Sequence, residues 1–325
     1  MAAIAETTPN YSQYTQKKVG LFGRLAGASS VLEAKEARWG YIFLIPWLIG
    51  LIVFWIGPII ASMFFAVTEY DVLSAPRYIG MENFTRAFTG DKLFWPSLGR
   101  TFYYSLAVVP ITIVGSLGLA ILLNQKLKGT NVFRTLFFLP HLTPAVALAV
   151  LWVWLFHPRV GPINSMLQTL LDVAGPGWLT SKEWALPALI IISLWAALGG
   201  NTMLIFLAGL QGVPQELLEA AEIDGAGAWA KFRNVTLPMI SPTLLFNLIL
   251  GVIGALKVFT LAFVATQGGP SYSTWFYALH IYQQAFAYYR MGYGAALAWI
   301  FVVILLIFTY LQLATSRRWV YYGGE

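Results

Sequence analysis

The chain has no cysteine, which removes disulfides, thiolate metal sites and cysteine nucleophiles from consideration. It is also short of charge. Asp, Glu, Lys and Arg make up 10% of its 325 residues, against about 25% in an ordinary soluble domain. So few charges cannot cover a water-facing surface, and a soluble fold is excluded. No G-x-x-x-x-G-K-[ST] phosphate loop occurs, so no P-loop nucleotide site is expected in this chain. His141, His157 and His280 stand far apart without H-E-x-x-H spacing, and no catalytic or metal-ligating residue is assigned. The net charge of +6 is dispersed rather than gathered in a basic tract, which argues against nucleic acid as a partner. The first 35 residues lack an apolar core followed by a small-residue cleavage site, and read as a cytoplasmic tail.

What the chain has in abundance is apolar sequence, 58% of its residues. A bilayer-crossing helix needs about 20 predominantly apolar residues. Six segments qualify, roughly Tyr41–Val67, Thr101–Leu123, Leu136–Phe156, Leu186–Leu210, Pro242–Val264 and Ala295–Ala314. Helices are expected because isolated strands cannot satisfy their backbone in lipid. The reading is an all-α membrane protein with one six-helix domain over 39–316. A tail with a juxtamembrane helix at Val31–Trp39 precedes it over 1–38, and a short tail follows over 317–325. If both termini are cytoplasmic, the inner segments hold Lys17, Lys18, Arg24, Lys35, Arg38, Lys126, Lys128, Arg134, Lys231, Arg233, Arg317 and Arg318. The outer segments then hold Arg77, Arg86, Lys92, Arg100, Arg159, Lys182 and Arg290. That bias favours this orientation.

One polar stretch interrupts the pattern, ELLEAAEIDGAGAWAKF at Glu216–Phe232, inside the loop 211–241. Pro214 suits a helix start, and Gly225 supplies a stop. A second helix is expected over about Ala226–Val235, ending before Pro238. Ala220, Ala221, Gly225 and Ala226 leave little side-chain bulk, so a partner surface can come close. Carboxylates such as Glu219 and Asp224 offer charge-assisted bonds to that partner. A solvated connector is the alternative.

The run Glu219-Ala220-Ala221, Asp224-Gly225-Ala226, Phe232, Leu237-Pro238 and Pro242 resembles the EAA loop of binding-protein-dependent ABC importer permeases. Other segments resemble the sugar branch of that family, related to the maltose and glycerol-phosphate permeases. These are Tyr78–Phe84 (with Met81 where Leu is commoner), Arg134–Pro140, Leu207–Leu210, Thr266–Pro270 and Gly292–Gly294. The resemblance spans about residues 38–315. It implies the type I ABC importer permease fold, with the EAA hairpin seated in a cleft of a cytoplasmic ATPase. Glu219, Ala220, Ala221, Asp224, Gly225 and Ala226 would then be the coupling residues. It further implies a second, homologous permease subunit, two ATPase copies that bind ATP and Mg, and an extracytoplasmic solute-binding protein. The chain itself would be no enzyme and hold no cofactor. It would lie in the cytoplasmic membrane of a bacterium or archaeon, surrounded by lipid. The outer loops, including Gln267–Tyr272, are candidate docking surfaces for the binding protein.

Polar and small residues inside spans are candidates for the substrate path. Span four offers Trp195, Gly199, Gly200 and Asn201, with close helix packing as the other reading. Span five offers Asn247, Gly251 and Gly254 on one helical face, with Lys257 to its side. The maltose-type sugar contacts fall near Gly251, Gly254, Ala255 and Val258, whose residue types differ, so those contacts are not carried over. His141 is expected as a hydrogen-bonded core histidine. An ion-coupled secondary transporter is the rival, but it would call for intramembrane carboxylates. A permease for a non-sugar solute such as glycerol phosphate and a non-transporting scaffold also stand as alternatives.

Overall fold

The computed structural model describes residues 31–125 and 128–321. The expectations for Lys17, Lys18, Arg24, Lys126 and the last four residues lie outside them. Contacts divide the chain into a unit ending at Phe64 and a second from Phe65 onward.

In the first unit, α1 (Val31–Leu51) runs through a π-helical turn at Ile52–Ile56 into α2 (Gly57–Ala66). The apolar helical stretch Leu32–Ala66 has 35 residues, roughly 50 Å of helix, against a hydrocarbon core of about 30 Å. Val31–Trp39 is therefore not a separate juxtamembrane helix but the continuation of span one. Only Gly40 stands between them, and one interior glycine costs about 1 kcal/mol, too little to end a helix. Its large side chains, Phe43, Phe54 and Trp55 among them, are exposed, as a lipid-facing helix requires.

The second unit is organised around α4 (Phe94–Leu123), which begins about two turns before the expected Thr101. The Asp91 carboxylate accepts the Leu93 N–H at 2.8 Å, and Pro96 falls in the first turn, where its missing N–H costs nothing. Before α4 come β1 (Thr68–Glu69) and β2 (Arg77–Tyr78), a short antiparallel pair, and α3 (Glu82–Thr85). Buried Asn83 donates to the carbonyls of Ala66 at 3.0 Å and Thr68 at 2.8 Å. Its amide thus pins this turn.

Span three is broken into α5 (Thr130–Phe138), with a 3-10 turn at Leu139–Leu142, and α6 (Ala145–Leu155), bent by 93°. Pro144 forces Thr143 into extended backbone, ψ 125°, and no helix continues through it. Span four is α8 (Ala185–Ala197) and α9 (Asn201–Gln211), bent by 43° at Leu198–Gly200. Between spans three and four lies the short helix α7 (Pro162–Leu171). Beyond the polar stretch, α13 (Ser241–Leu256) and α14 (Thr260–Ala265) form span five, α15 (Tyr277–Tyr282) follows, and α16 (Met291–Ser316) is span six. Among the described residues four helices are long and apolar enough to cross a membrane, and six spans result if each bent pair counts as one.

Three buried clusters lie along α4. Tyr104 and Val108 pack with Trp152, Ile192 and Phe276. At its start, Phe94 and Leu98 pack with Tyr277, Tyr293 and Leu297. At its far end, Leu117, Ala120 and Leu123 pack with Met203, Phe206 and Ile240. The starts of α4 and α16 therefore share one end of the bundle, and the polar hairpin leaves the other. The break in span four has a tight partner. A Cβ on Gly199 would lie 2.0 Å from the Phe137 carbonyl oxygen, and a helix backbone cannot yield that much. Gly199→Ala is expected to destabilise by about 1–3 kcal/mol, seen as a lower melting temperature of the purified protein.

Candidate functional site

The polar stretch folds as a helical hairpin. α10 (Gln215–Ile223) starts after Pro214, and α11 (Ala228–Lys231) continues through a π-helical turn at Phe232–Thr236 into α12 (Leu237–Met239). The second arm thus does not stop before Pro238, as the proline rule suggested. The Leu237 N–H bonds to the Phe232 carbonyl, and this wider turn carries the helix up to a proline that donates nothing. At the apex Gly225 adopts φ +78°. Its N–H bonds to the Glu222 carbonyl at 2.9 Å, and the Ala226 N–H bonds to the Ala221 carbonyl at 2.8 Å. Together these are a Schellman motif, which wants glycine at that position. Lys231 and Glu222 form an ion pair across the turn. Glu219, Ala220, Asp224 and Gly225 are exposed, and Ala221 and Ala226 half-buried. Leu217, Ile223 and Trp229 stand exposed beside them, Ile223 at 88%.

A second site lies between α4, α8, α9 and α13. A cavity of about 240 Å³ is lined by Tyr104, Thr112, Ser193, Thr202, Asn247, Gly251 and Gly254, among others. Its charge-free wall mixes hydroxyls and an amide with Val108, Val109, Ile113 and Leu250. The Tyr104 hydroxyl and Ser193 Oγ are 2.5 Å apart. Asn247 is 2% exposed, and its Nδ2 has no partner, nor does Thr112 Oγ1. Buried polar groups are normally satisfied, and both residues stand at the wall of this cavity.

Of the path residues read from sequence, Asn247, Gly251 and Gly254 are brought together here. The others are not. Trp195 packs edge-on to Trp152 with ring centroids 5.7 Å apart. Gly199 and Gly200 lie against Phe137 and His141, Asn201 opens α9 on an exposed face, and Lys257 caps the end of α13, exposed. Tyr104, Thr112 and Ser193 were missed. Their signal was present, since hydroxyl residues inside apolar spans deserve the same suspicion as Asn. His141 is not the buried, bonded histidine expected; it is exposed beside the Phe138 ring, because the break at Pro144 turns this segment outward.

At the end of the bundle opposite the hairpin lies a buried polar cluster. Asp91 Oδ2 accepts from the Tyr293 hydroxyl at 2.5 Å and lies 2.8 Å from His280 Nε2. The Trp275 indole N–H donates to His280 Nδ1 at 3.1 Å. An indole only donates, so the His280 proton sits on Nε2 and is given to Asp91. Burial works against the Asp91 charge, but hydrogen bonds from His280, Tyr293 and the Leu93 N–H outweigh it. The carboxyl is held well below the usual carboxylate range.

The profile of the family described as "Binding-protein-dependent transport system inner membrane component" matches residues 112–321. The chain belongs to this family. The permease is 41% identical over 306 residues to the probable ABC transporter permease protein YesP of Bacillus subtilis, covering 92% of this chain and 98% of that one. It is 34% identical over 297 residues to the trehalose/maltose transport system permease protein MalF of Thermococcus litoralis, covering 89% and 98%. Among solved structures it resembles a chain of a bacterial ABC transporter that imports the acidic polysaccharide alginate. There the TM-score is 0.78 at 24% identity, covering 91% of the permease and 99% of that chain. The fold is accordingly that of type I ABC importer permeases, and the permease is a multi-pass membrane component of a transport system.

Proposed function

We propose that the permease carries a sugar or oligosaccharide inward, driven by ATP that partner subunits bind with Mg and hydrolyse. The observation that carries this reading is the uncharged cavity beside α4. It sets the hydroxyl and amide residues Tyr104, Thr112, Ser193, Thr202 and Asn247 between apolar walls. Hydroxyl, amide and aliphatic surfaces side by side match the alternating O–H and C–H faces of a sugar ring. The volume is below the ~300–1,000 Å³ of typical ligand pockets, so one ring fits, and the partner permease supplies the rest of the path. Named relatives that transport trehalose/maltose, lactose and arabinooligosaccharides support the substrate class. In this reading the hairpin seats Glu219, Ala220, Ala221, Asp224, Gly225 and Ala226 against an ATPase. Both termini are cytoplasmic. A solute-binding protein docks outside, as one solved relative does with its periplasmic protein.

The test is uptake by the assembled complex in vesicles. ATP inside is expected to drive accumulation of a labelled sugar delivered by the binding protein, and ionophores are expected to leave it intact. Uptake that follows a proton or sodium gradient without ATP overturns the reading. A Cβ on Gly254 would meet nothing within 4 Å, so Gly254→Leu fills the cavity without disturbing the fold. It is expected to lower uptake about tenfold, one lost contact set of ~1.4 kcal/mol, at unchanged protein level.

A further inference from the structure

A cleft of about 520 Å³ opens at the end of the bundle opposite the hairpin, between β1, the turn that follows it, α3 and the start of α16. Its charged lining residues are Glu69, Asp71, Arg77, Arg86 and Arg290. Arg77 is tied to Glu69 by an ion pair. Asp71 is engaged in its own turn, accepting from the Ser74 hydroxyl at 2.7 Å and from the N–H groups of Ser74 and Leu73. Arg86 and Arg290 are left. Among the described residues neither has a carboxylate within ion-pair reach.

Two guanidinium groups facing one open cleft repel each other unless an anion sits between them. The Arg86 head and the Arg290 backbone are both anchored. The Arg86 guanidinium lies 4.8 Å over the Tyr293 ring. Arg290 is held through its backbone, its N–H on the Gln284 carbonyl and its carbonyl on the Gly294 N–H. The lining includes exposed Tyr289, and Arg with Tyr is the composition that marks protein-binding surfaces. The floor is not inert either, because the same Tyr293 donates to buried Asp91. An anion in the cleft therefore acts on the group that ties α16 to α15 and to the start of α4.

We propose that this cleft receives an acidic side chain of the solute-binding protein, with Arg86 and Arg290 as its two-pronged contact. The inference rests on the importer reading above, and it puts a docking contact on a surface apart from Gln267–Tyr272. Arg offers a planar fork that a carboxylate accepts through both oxygens, a geometry lysine meets only as a point charge.

The experiment titrates the solute-binding protein into the full complex in lipid nanodiscs and reads the concentration that half-saturates stimulation of ATP hydrolysis. Arg86→Glu combined with Arg290→Glu is expected to raise that concentration about tenfold or more. Raised ionic strength should weaken the wild type and leave the double variant little changed. The double lysine variant, which keeps both charges, should fall between the two. Wild-type stimulation together with unchanged half-saturation in the Glu variant overturns the inference alone. So does a Lys variant as impaired as the Glu variant, since charge then carries nothing. A double variant altered only in its dependence on anionic lipid overturns it in favour of a headgroup site. A wild-type complex that ignores the binding protein overturns the importer reading and this inference with it.

Discussion

Replacing Gly225 with proline is expected to abolish ATP-driven uptake while leaving the permease in the membrane at its normal amount. Gly225 holds φ +78°, and a proline ring locks φ near −65°. The substitution also deletes the N–H that bonds to the Glu222 carbonyl at 2.9 Å. Both losses fall at the apex, so the angle between α10 and α11 must change. The local cost is about 3 kcal/mol or more, but the apex is exposed and the buried clusters along α4 do not include it. The damage should stay in the hairpin. Gly225→Ala is a milder case, with about 1–2 kcal/mol of left-handed strain and partial uptake. Glu219→Lys probes the contact instead of the geometry, since it reverses an exposed charge and alters no bond within the hairpin. The check is sugar uptake alongside binding-protein-stimulated ATP hydrolysis in the reconstituted complex. Wild-type uptake and stimulation in Gly225→Pro or Glu219→Lys would remove the hairpin from the coupling role.

The second large effect belongs to Asp91. Asp91→Ala removes the acceptor shared by Tyr293 and His280, and both donors are left buried, His280 at 0% exposure. Each neutral donor left buried without an acceptor costs about 1–3 kcal/mol, so the melting temperature of the purified protein should fall. The same residue sets a pH signature. Its carboxyl is held low in the folded state, so its stabilisation is complete above the unfolded value of about 3.9. It is lost as pH falls through the lower, folded value. Asp91→Asn is therefore expected to melt below the wild type at pH 7, and the gap should narrow as pH drops under about 4. A gap that stays constant from pH 7 to pH 3 would show that charge at Asp91 contributes nothing.

Much of the permease was legible in its residues because the governing rules are local. The apolar runs meant crossing helices whatever their neighbours, four as single helices and six if each bent pair counts as one, since lipid leaves a backbone no other option. The bend at Pro144 and the left-handed turn at Gly225 follow from what proline forbids and glycine permits. The misreadings also have local causes. Val31–Trp39 was separated from span one because hydropathy marks lipid contact, whereas the helix itself runs on without a break. The arm through Pro238 survived because a π-helical turn absorbs a proline that a regular helix would not tolerate.

The membrane class, the family resemblance and the hairpin with its glycine apex can all be read along the chain. Which side chains meet is settled only by packing. Asp91 and His280 are 189 positions apart, and Tyr104 and Ser193 are 89 apart. Hydropathy says that a helix crosses, but not which face it turns toward another span. That face is set by the depth and rotation of whole helices packed against α4, a property of the assembled bundle that no single stretch encodes.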